Sequence, residues 1–130
     1  MTEPNTVIKI KATNLTLTGA IEGYTREKLA LLRKFLMHYA HESGELIFDV
    51  EVEKTTEHHR QGDVFRAEIN FTAGSINFRA EATESDLYAA IDRAKDEMER
   101  ELLRGKNKHI RLVRKGGAQL KKIIRGLYRR

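Results

Sequence analysis

Three consecutive segments with strictly alternating side chains constrain the fold of this 130-residue chain most strongly. In residues 46–53, 65–72 and 76–82, every second side chain is apolar and the residues between are mostly charged or polar. A period of two places the apolar side chains on one face of a β-strand and the polar ones on the other. The short connection Ala73-Gly74-Ser75 joins the last two segments. The pattern predicts a meander of three strands with one face toward a core and the other toward solvent.

One further strand and two helices complete the predicted order. Residues 7–12 alternate in the same way. After Thr18, a candidate N-cap, apolar residues recur at helical spacing and predict a helix over 19–39. The tetrapeptide 83–86, Thr-Glu-Ser-Asp, is a capping-box pattern with Asp in the place of Glu or Gln, so a second helix starts there and ends near Gly105. Its apolar stripe consists of Leu87, Ile91, Ala94, Met98 and Leu102.

The element order β-α-β-β-β-α predicts an α+β two-layer sandwich, in which a four-stranded sheet carries both helices packed on one face. We expect this domain to span residues 1–105. Residues 106–130 form a basic C-terminal extension, in which Gly116-Gly117 is expected to break any helix. Beyond that break, the spacing of Leu120, Ile123, Ile124 and Leu127 is compatible with a short basic amphipathic helix.

Charge divides the chain sharply. No acidic residue follows Glu101, and residues 104–130 contain 11 Lys and Arg, whereas the preceding residues carry 13 bases and 19 acids. A strongly basic segment attached to an acidic body points to a polyanionic partner, either nucleic acid or an anionic membrane surface. A segment that only solubilises the chain remains an alternative.

Several functional classes find no support in the sequence. The absence of cysteine excludes disulfides, thiol catalysis and thiolate metal sites. No phosphate-binding Gly-rich loop, nucleophile elbow or HExxH motif is present, and the adjacent His58 and His59 are not spaced to converge on a metal ion. We therefore expect no enzyme activity, no catalytic residue, no metal and no cofactor. The N-terminus is polar, and no run approaches the ~20 apolar residues of a membrane span, which predicts a soluble, cytoplasmic protein with no membrane association.

The second helix carries a candidate phosphate-binding line. At about 100° per residue, Arg93, Arg100 and Arg104 fall within roughly 40° of one another, opposite the apolar stripe. Acidic residues lie between them, so a salt-bridged helix surface is the alternative interpretation. Continuity with the extension favours phosphate contact. The full set of predicted RNA-binding residues is Lys28, Lys34, Arg93, Lys95, Arg100, Arg104, Lys106, Lys108, Arg111, Arg114 and Lys115.

The predicted solvent-facing side of the sheet lacks the aromatic residues with which single-strand RNA readers stack bases. Its carboxylates Asp49, Glu51 and Glu53 alternate across strands with Arg66 and Arg79, which predicts cross-strand charge pairs in preference to a general acid-base couple. We therefore expect RNA to meet the helix side and the extension through its phosphates and shape.

The second helix also carries a family resemblance. The segment 83–92, Thr-Glu-Ser-Asp-Leu-Tyr-Ala-Ala-Ile-Asp, followed by Glu-Arg-Glu-Leu at 99–102, is similar to the D-M-Y-A-A-I-D … E-R-Q-L signature of the ribosome hibernation promoting factors and ribosome-associated inhibitors. Residues 27–35 are similar to that family's first helix, and the resemblance covers about residues 7–108. The family is also described as sigma-factor modulation or ribosomal subunit interface proteins.

The resemblance implies a partner and a mechanism. It implies that the domain docks against rRNA of the small ribosomal subunit, in the channel where mRNA and the A-site and P-site tRNAs sit. There it would compete with mRNA and tRNA and inhibit translation in idle ribosomes. It implies a short-type member, monomeric away from the ribosome. Positions that match the family's basic residues are Lys28, Lys34, Arg100, Arg104, Lys106 and Lys108.

Of the residues that match the signature, Asp86 is assigned to helix capping, and Tyr88 to packing or a surface hydrogen bond. Two other functions remain open. One is a double-stranded RNA-binding module, although Glu84 and Asp86 occupy the helix start where such modules usually place lysines. The other is a domain that binds a membrane or a partner protein through its basic extension.

Overall fold

A computed structural model describes residues 5–40, 44–55 and 62–128, and their side chains through Gly116 except that of Val113. Most of the predicted loop 55–62, with His58 and His59, lies outside the described residues, as do the side chains of the predicted amphipathic segment at 120–127. The elements are β1 (Asn5–Thr13), α1 (Gly19–Ala30), α2 (Arg33–Leu36), a 3-10 turn (Met37–Tyr39), β2 (Glu45–Thr55), β3 (Val64–Ala73), β4 (Ile76–Glu84) and α3 (Leu87–Tyr128).

The four strands form one mixed sheet in the order β1-β2-β3-β4. Strand β1 pairs parallel with β2, and the other neighbours pair antiparallel. The register brings Ile10 opposite Val50, Val50 opposite Ile69, and Ile69 opposite Ala80, so the apolar positions of all four strands share one face. A two-residue turn closes the β3-β4 hairpin, with Gly74 at φ +59°, a backbone conformation that glycine adopts without steric cost.

The helices cover that apolar face and form one core with it. Phe48 and Phe71 from the sheet pack with Leu32 and Tyr39 from the first helical segment and with Met98 from α3, and all five are almost completely buried. The predicted α+β two-layer sandwich is confirmed.

The first helix differs from its prediction. A single helix over 19–39 is wrong, because α1 ends at Ala30 and a tight turn separates it from α2. The amide of Leu32 donates to the carbonyl of Leu29 at 3.0 Å, an i to i+3 bond. A bond of this type tightens the turn. Leu32, which donates it, is fully buried in the core. The predicted cap is confirmed, since the backbone amide of Ile21 donates to Oγ1 of Thr18 at 3.2 Å.

The start of α3 differs slightly from the capping-box prediction. Strand β4 continues through Glu84, so Thr83 is not the cap. Instead, Oδ2 of Asp86 accepts the backbone amide of Ala89 at 3.0 Å, and the Asp86 carbonyl accepts that of Ala90. Asp86 is therefore the N-cap of α3, and the capping role predicted for it is confirmed.

The end of α3 differs most. The predicted stop near Gly105 and the predicted break at Gly116-Gly117 are both wrong, because α3 continues to Tyr128. A glycine inside a helix costs only about 1 kcal/mol relative to alanine. At Gly105 this cost is offset by packing, because the neighbouring Leu102 is fully buried and Tyr39 contacts the helix there.

Candidate nucleic-acid interface

The outer side of α3 presents a line of basic side chains that we call the α3 ridge: Arg93, Arg100, Arg104, Lys108, Arg111 and Lys115. At about 100° per residue, the six lie within roughly 80° of one another, and the centre of the ridge is about 120° from the centre of the buried stripe. All six are exposed, and the side chains of Arg100 and Arg104 are 65% and 68% accessible. The ridge is about 33 Å long at 1.5 Å per residue.

The first half of the ridge is balanced by acids. Arg93 pairs with Glu84 at 2.8 Å and Arg104 with Glu101 at 2.7 Å, and Arg100 also pairs with Glu97. The salt-bridged surface that the sequence allowed is therefore present. Exposed pairs of this kind contribute about 0–1 kcal/mol each, so a phosphate can replace the carboxylate at little cost.

The second half of the ridge lies beyond the last acidic residue of the chain. Lys108, Arg111 and Lys115 are exposed and follow Arg104 on the same face. The expected break had left the relative orientation of these residues undefined. Because α3 is continuous, they extend the ridge in phase, and the sequence pattern alone did not predict that alignment.

Lys28 lies between α1 and α3 and is held there by two side chains. Its Nζ lies 3.3 Å from Oδ1 of Asp92 and 5.3 Å from the centre of the Tyr24 ring. The Tyr24 hydroxyl donates to the same Asp92 oxygen at 2.6 Å, and this bond raises the pKa of Tyr24. The hydrogen bond and charge of Asp92 also raise the pKa of Lys28, which keeps its ammonium protonated. Tyr88 packs edge-on against Tyr24 at 4.8 Å, consistent with the packing role assigned to it.

Two of the predicted RNA-binding lysines lie away from the ridge. At 100° per residue, Lys95 and Lys106 lie roughly 160–180° from its centre. The Lys95 side chain is only 13% exposed and lies 3.4 Å from Glu99, and Lys106 is half-buried. Lys34 is exposed, with its ammonium 5.1 Å from the Phe35 ring. Arg114 is exposed beside the ridge.

A groove between the α1–α2 segment and α3 brings some of these lysines together. Its walls include Lys34, Lys95 and the partly exposed Leu31 and Met37. The sequence did not single out Leu31 or Met37, because both fall next to buried positions of the first helical stripe. The predicted interface is thus two surfaces: an exposed ridge, and a groove that combines cations with apolar side chains.

The face of the sheet away from the helices, called here the open sheet face, holds a closed charge network. Arg66 pairs with Glu51, with Glu53 at 2.8 Å and with Glu68 at 2.6 Å. Arg79 pairs with Glu68 at 3.1 Å and with Glu81 at 2.7 Å. The predicted cross-strand charge pairs are therefore present for Glu51 and Glu53.

The network changes the ionisation of its members. Burial alone would raise the pKa of Glu68, but hydrogen bonds from Arg66, Arg79 and Asn70 outweigh it and lower that pKa to about 2. The hydrogen bond to Glu68 in turn raises the pKa of Arg66 above its ordinary value. Glu68 and Arg66 are therefore both charged near neutral pH, and each stabilises the charged form of the other.

Within the described part of the chain, no group of three or more His, Asp or Glu side chains is placed to hold a metal ion. Nor does any described helix combine the length and hydropathy needed to cross a bilayer.

Comparison with known proteins identifies the family. Residues 8–110 match the family described as Sigma 54 modulation protein / S30EA ribosomal protein. The chain belongs to this family. The match begins within β1, covers the other strands and α1, and ends within α3.

Two relatives are both ribosome hibernation promotion factors. The chain is 28% identical over 99 residues to a ribosome hibernation promotion factor from Lactococcus lactis subsp. cremoris, covering 76% of this chain and 49% of the relative. It is also 28% identical over 111 residues to the ribosome hibernation promotion factor of Staphylococcus aureus, covering 85% of this chain and 54% of the relative. The chain thus spans about half the length of these relatives.

Solved structures agree with the fold. The N-terminal domain of Protein Y from Thermus thermophilus is 33% identical, with a TM-score of 0.57, and the match covers 74% of this chain and 93% of that domain. A ribosomal subunit interface protein from Coxiella burnetii has the same TM-score at 16% identity, covering 78% of this chain and 98% of that one, and supports the fold alone.

Proposed function

We propose that this S30EA-family chain is a ribosome hibernation factor that binds rRNA of the small subunit in the mRNA and tRNA channel. There it occupies the A and P sites and inhibits translation by idle ribosomes. The observation that carries the proposal is the α3 ridge, which is exposed, continuous and free of acids beyond Glu101. The printed names of the relatives support the choice of the ribosome as the polyanion.

The proposed mechanism is occupancy. The ridge supplies phosphate contacts, and Lys28, Lys34, Lys95 and Lys106 supply a second set from the side of the groove. Contacts with phosphates fix position and orientation without reading bases, which suits a protein that must fit one RNA cavity. No step requires a catalytic group, a metal or a cofactor, and the chain acts as a monomer in the cytoplasm.

Co-sedimentation with isolated small subunits tests the proposal. We expect binding that initiator tRNA and mRNA displace. If about six cations contact phosphates, the affinity should fall about a thousand-fold between 50 and 200 mM salt. Binding that tRNA and mRNA leave unchanged would reject the channel, and binding insensitive to salt would reject the phosphate mechanism. Absence of binding under every condition would leave the family match as a statement about fold.

A further inference from the structure

The body of the protein touches the backbone of α3 directly at Gly105. A Cβ atom at this position would lie 2.5 Å from Cζ of Phe78 and 2.7 Å from the hydroxyl oxygen of Tyr39, closer than real Cβ contacts. Any larger residue therefore requires the Phe78 and Tyr39 rings or α3 itself to shift. At Gly116, further along the same helix, an added Cβ would meet nothing within 4 Å.

Tyr39 holds the same turn of α3 through its hydroxyl. The hydroxyl donates to the carbonyl of Leu102, and the ring packs edge-on against Phe71 and Phe78 at 5.5 and 5.7 Å. Burial raises the pKa of Tyr39 to about 12, although a hydrogen bond from the Lys106 backbone amide acts in the opposite direction. The hydroxyl thus remains protonated and available as a donor at any physiological pH.

A third contact lies one turn further along α3. Nδ1 of His109 lies 3.0 Å from Nε2 of His38, the neighbour of Tyr39. Leu112 borders the same cleft, about 370 Å³ in volume, beside these histidines. The body therefore contacts α3 over about two turns beyond Leu102. We call the contacts of Tyr39, Phe78 and His38 with Gly105 and His109 the α3 joint.

We propose that the α3 joint holds the extension in a fixed direction relative to the body, and so orients the distal part of the ridge, Arg111 and Lys115, as an RNA contact of its own. The proposed ligand is a sugar-phosphate backbone of rRNA that runs alongside α3 beyond the sandwich. Arg111 and Lys115 contact its phosphates, while Tyr39, Gly105 and His109 act as positioning residues. The inference rests on the proposed function and adds to it an oriented second contact.

Rigidity is what gives the joint a functional consequence. A basic segment free to move would bind phosphates only after losing its conformational freedom, whereas an aligned helix has already paid that entropy in folding. Lys115 lies about 15 Å beyond Gly105 along the axis. A small change of helix direction at the joint would move its ammonium by several ångströms, enough to break a charge-assisted contact.

Two glycine substitutions provide a matched pair of variants in the full chain. Gly105→Ala and Gly116→Ala both replace a helical glycine with a better helix former, but only the first meets Phe78 and Tyr39. His109→Gln is a third variant at an exposed position that cannot unfold the core. Because the chain has no native cysteine, spin labels on cysteines introduced at Thr16 and Gln119, outside the predicted RNA-binding set, report the direction of the extension.

The label distances and the small-subunit affinity are measured together. We expect one narrow distance distribution in the parent and in Gly116→Ala, and a shifted or broadened one in Gly105→Ala and, to a lesser degree, in His109→Gln. Gly105→Ala should bind small subunits about ten-fold more weakly, and Gly116→Ala within two-fold of the parent. The pair Arg111→Gln and Lys115→Gln should weaken binding in the parent but far less in Gly105→Ala, because the misaligned extension no longer contacts RNA.

The outcomes separate this inference from the proposed function. An unchanged distance in Gly105→Ala, or equal effects of the Arg111 and Lys115 substitutions in both backgrounds, would overturn the inference while ribosome binding stands. If no chain binds small subunits, the proposed function fails, and the RNA role of the extension fails with it. Binding to vesicles of anionic phospholipid that depends on Arg111 and Lys115, with subunit affinity unaffected by them, would assign the extension to a membrane surface instead.

Discussion

The open sheet face and the α3 ridge are both crowded with charge, but their charges are arranged in opposite ways. On the sheet, Arg66 and Arg79 lie among four glutamates on rigid neighbouring strands. On α3, Arg93, Arg100 and Arg104 each pair with a glutamate, and no acidic residue follows Glu101 in the sequence. The arginines of the open sheet face are each paired with several glutamates, whereas the last three cations of the ridge lie in a segment without acidic residues.

The difference shows that the number of bases does not identify a binding surface. The Arg66 side chain is only 19% exposed and is committed to several partners, so a phosphate would have to break a cooperative network to reach it. Arg93, Arg100 and Arg104 are each more than 60% exposed and make weak, exposed pairs. Balance and accessibility therefore distinguish the surface that stabilises the fold from the surface available to a partner.

The largest expected effect comes from reversing charge on the ridge. Arg100→Glu combined with Arg104→Glu places two acids beside Glu97 and Glu101, and should abolish small-subunit binding, a loss of at least about a thousand-fold. Both side chains are exposed, so the domain should remain folded. Co-sedimentation measures the binding, and circular dichroism during heating measures the folding.

The matched control makes the same charge change on the open sheet face. Lys9→Glu with Lys11→Glu alters two exposed lysines of β1 and should change the affinity by less than about five-fold, since only long-range repulsion is added. If both pairs weaken binding equally, net charge and not the ridge determines affinity, and the contrast between the two surfaces fails.

Removing Arg66 from the centre of the sheet network should lower the stability of the fold and leave subunit binding nearly unchanged. Arg66→Met keeps the aliphatic stem but leaves Glu51, Glu53 and Glu68 without their shared cation. We expect a loss of about 2–3 kcal/mol in the free energy of unfolding, because partly buried carboxylates lose their partner, and little change in subunit binding. Urea unfolding tests the first expectation, with the more exposed Arg79→Met costing less.

The network should also make stability depend on pH in the acid range. The pKa of Glu68 is lowered to about 2 in the folded protein, so the folded state stays ionised where the unfolded chain takes up a proton. The contribution of ionised Glu68 to the free energy of unfolding is complete above about pH 4.5 and is lost as the pH falls toward 2. After solvent screening, we expect this contribution to be about 1–2 kcal/mol. Urea midpoints at several pH values measure it. An identical acid dependence in Glu68→Gln would show that other carboxylates cause it.

The smallest expected effect concerns Lys28 and its partner. Asp92→Asn removes the carboxylate that Lys28 and Tyr24 share. Binding should change by no more than about three-fold, because the lysine keeps its charge and loses only a partly exposed pair. The pKa of the Tyr24 hydroxyl should fall, since its raised value comes chiefly from that hydrogen bond. Ultraviolet titration of the tyrosines reads this directly, and an unchanged titration would contradict the assignment.

Sequence patterns were most reliable where one periodicity decided the structure. The period-two segments became β1 to β4 with their expected inward faces, because the apolar side chains of a strand can reach a core on one side only. Thr18 caps α1 and Asp86 caps α3 because short polar side chains satisfy the first amides of a helix. The cross-strand pairs of the open sheet face followed from the same alternation.

The candidate site was predictable in its composition but not in its shape. Arg93, Arg100 and Arg104 share a face by helix geometry alone, and the charge asymmetry indicated their extension. The separation of Lys95 from that face follows from the same helix geometry, but its burial beside Glu99 depends on how α3 lies against α1 and α2. The passage of the helix through Gly105 was not predicted for the same reason, since the cost of glycine in a helix is local but the packing that offsets it there is not.

The sequence by itself therefore determined the four strands, the two-faced sheet and the basic side of α3, because these follow from periodicities and charges of neighbouring residues. Only the tertiary structure decided the break after Ala30, the contact of Lys28 with Asp92, and the passage of α3 through Gly105. Each depends on groups far apart in the chain: the hydroxyl of Tyr39 reaches a carbonyl 63 residues away, and His38 meets a histidine 71 residues away. Such distances are fixed by packing in three dimensions, which no local pattern contains.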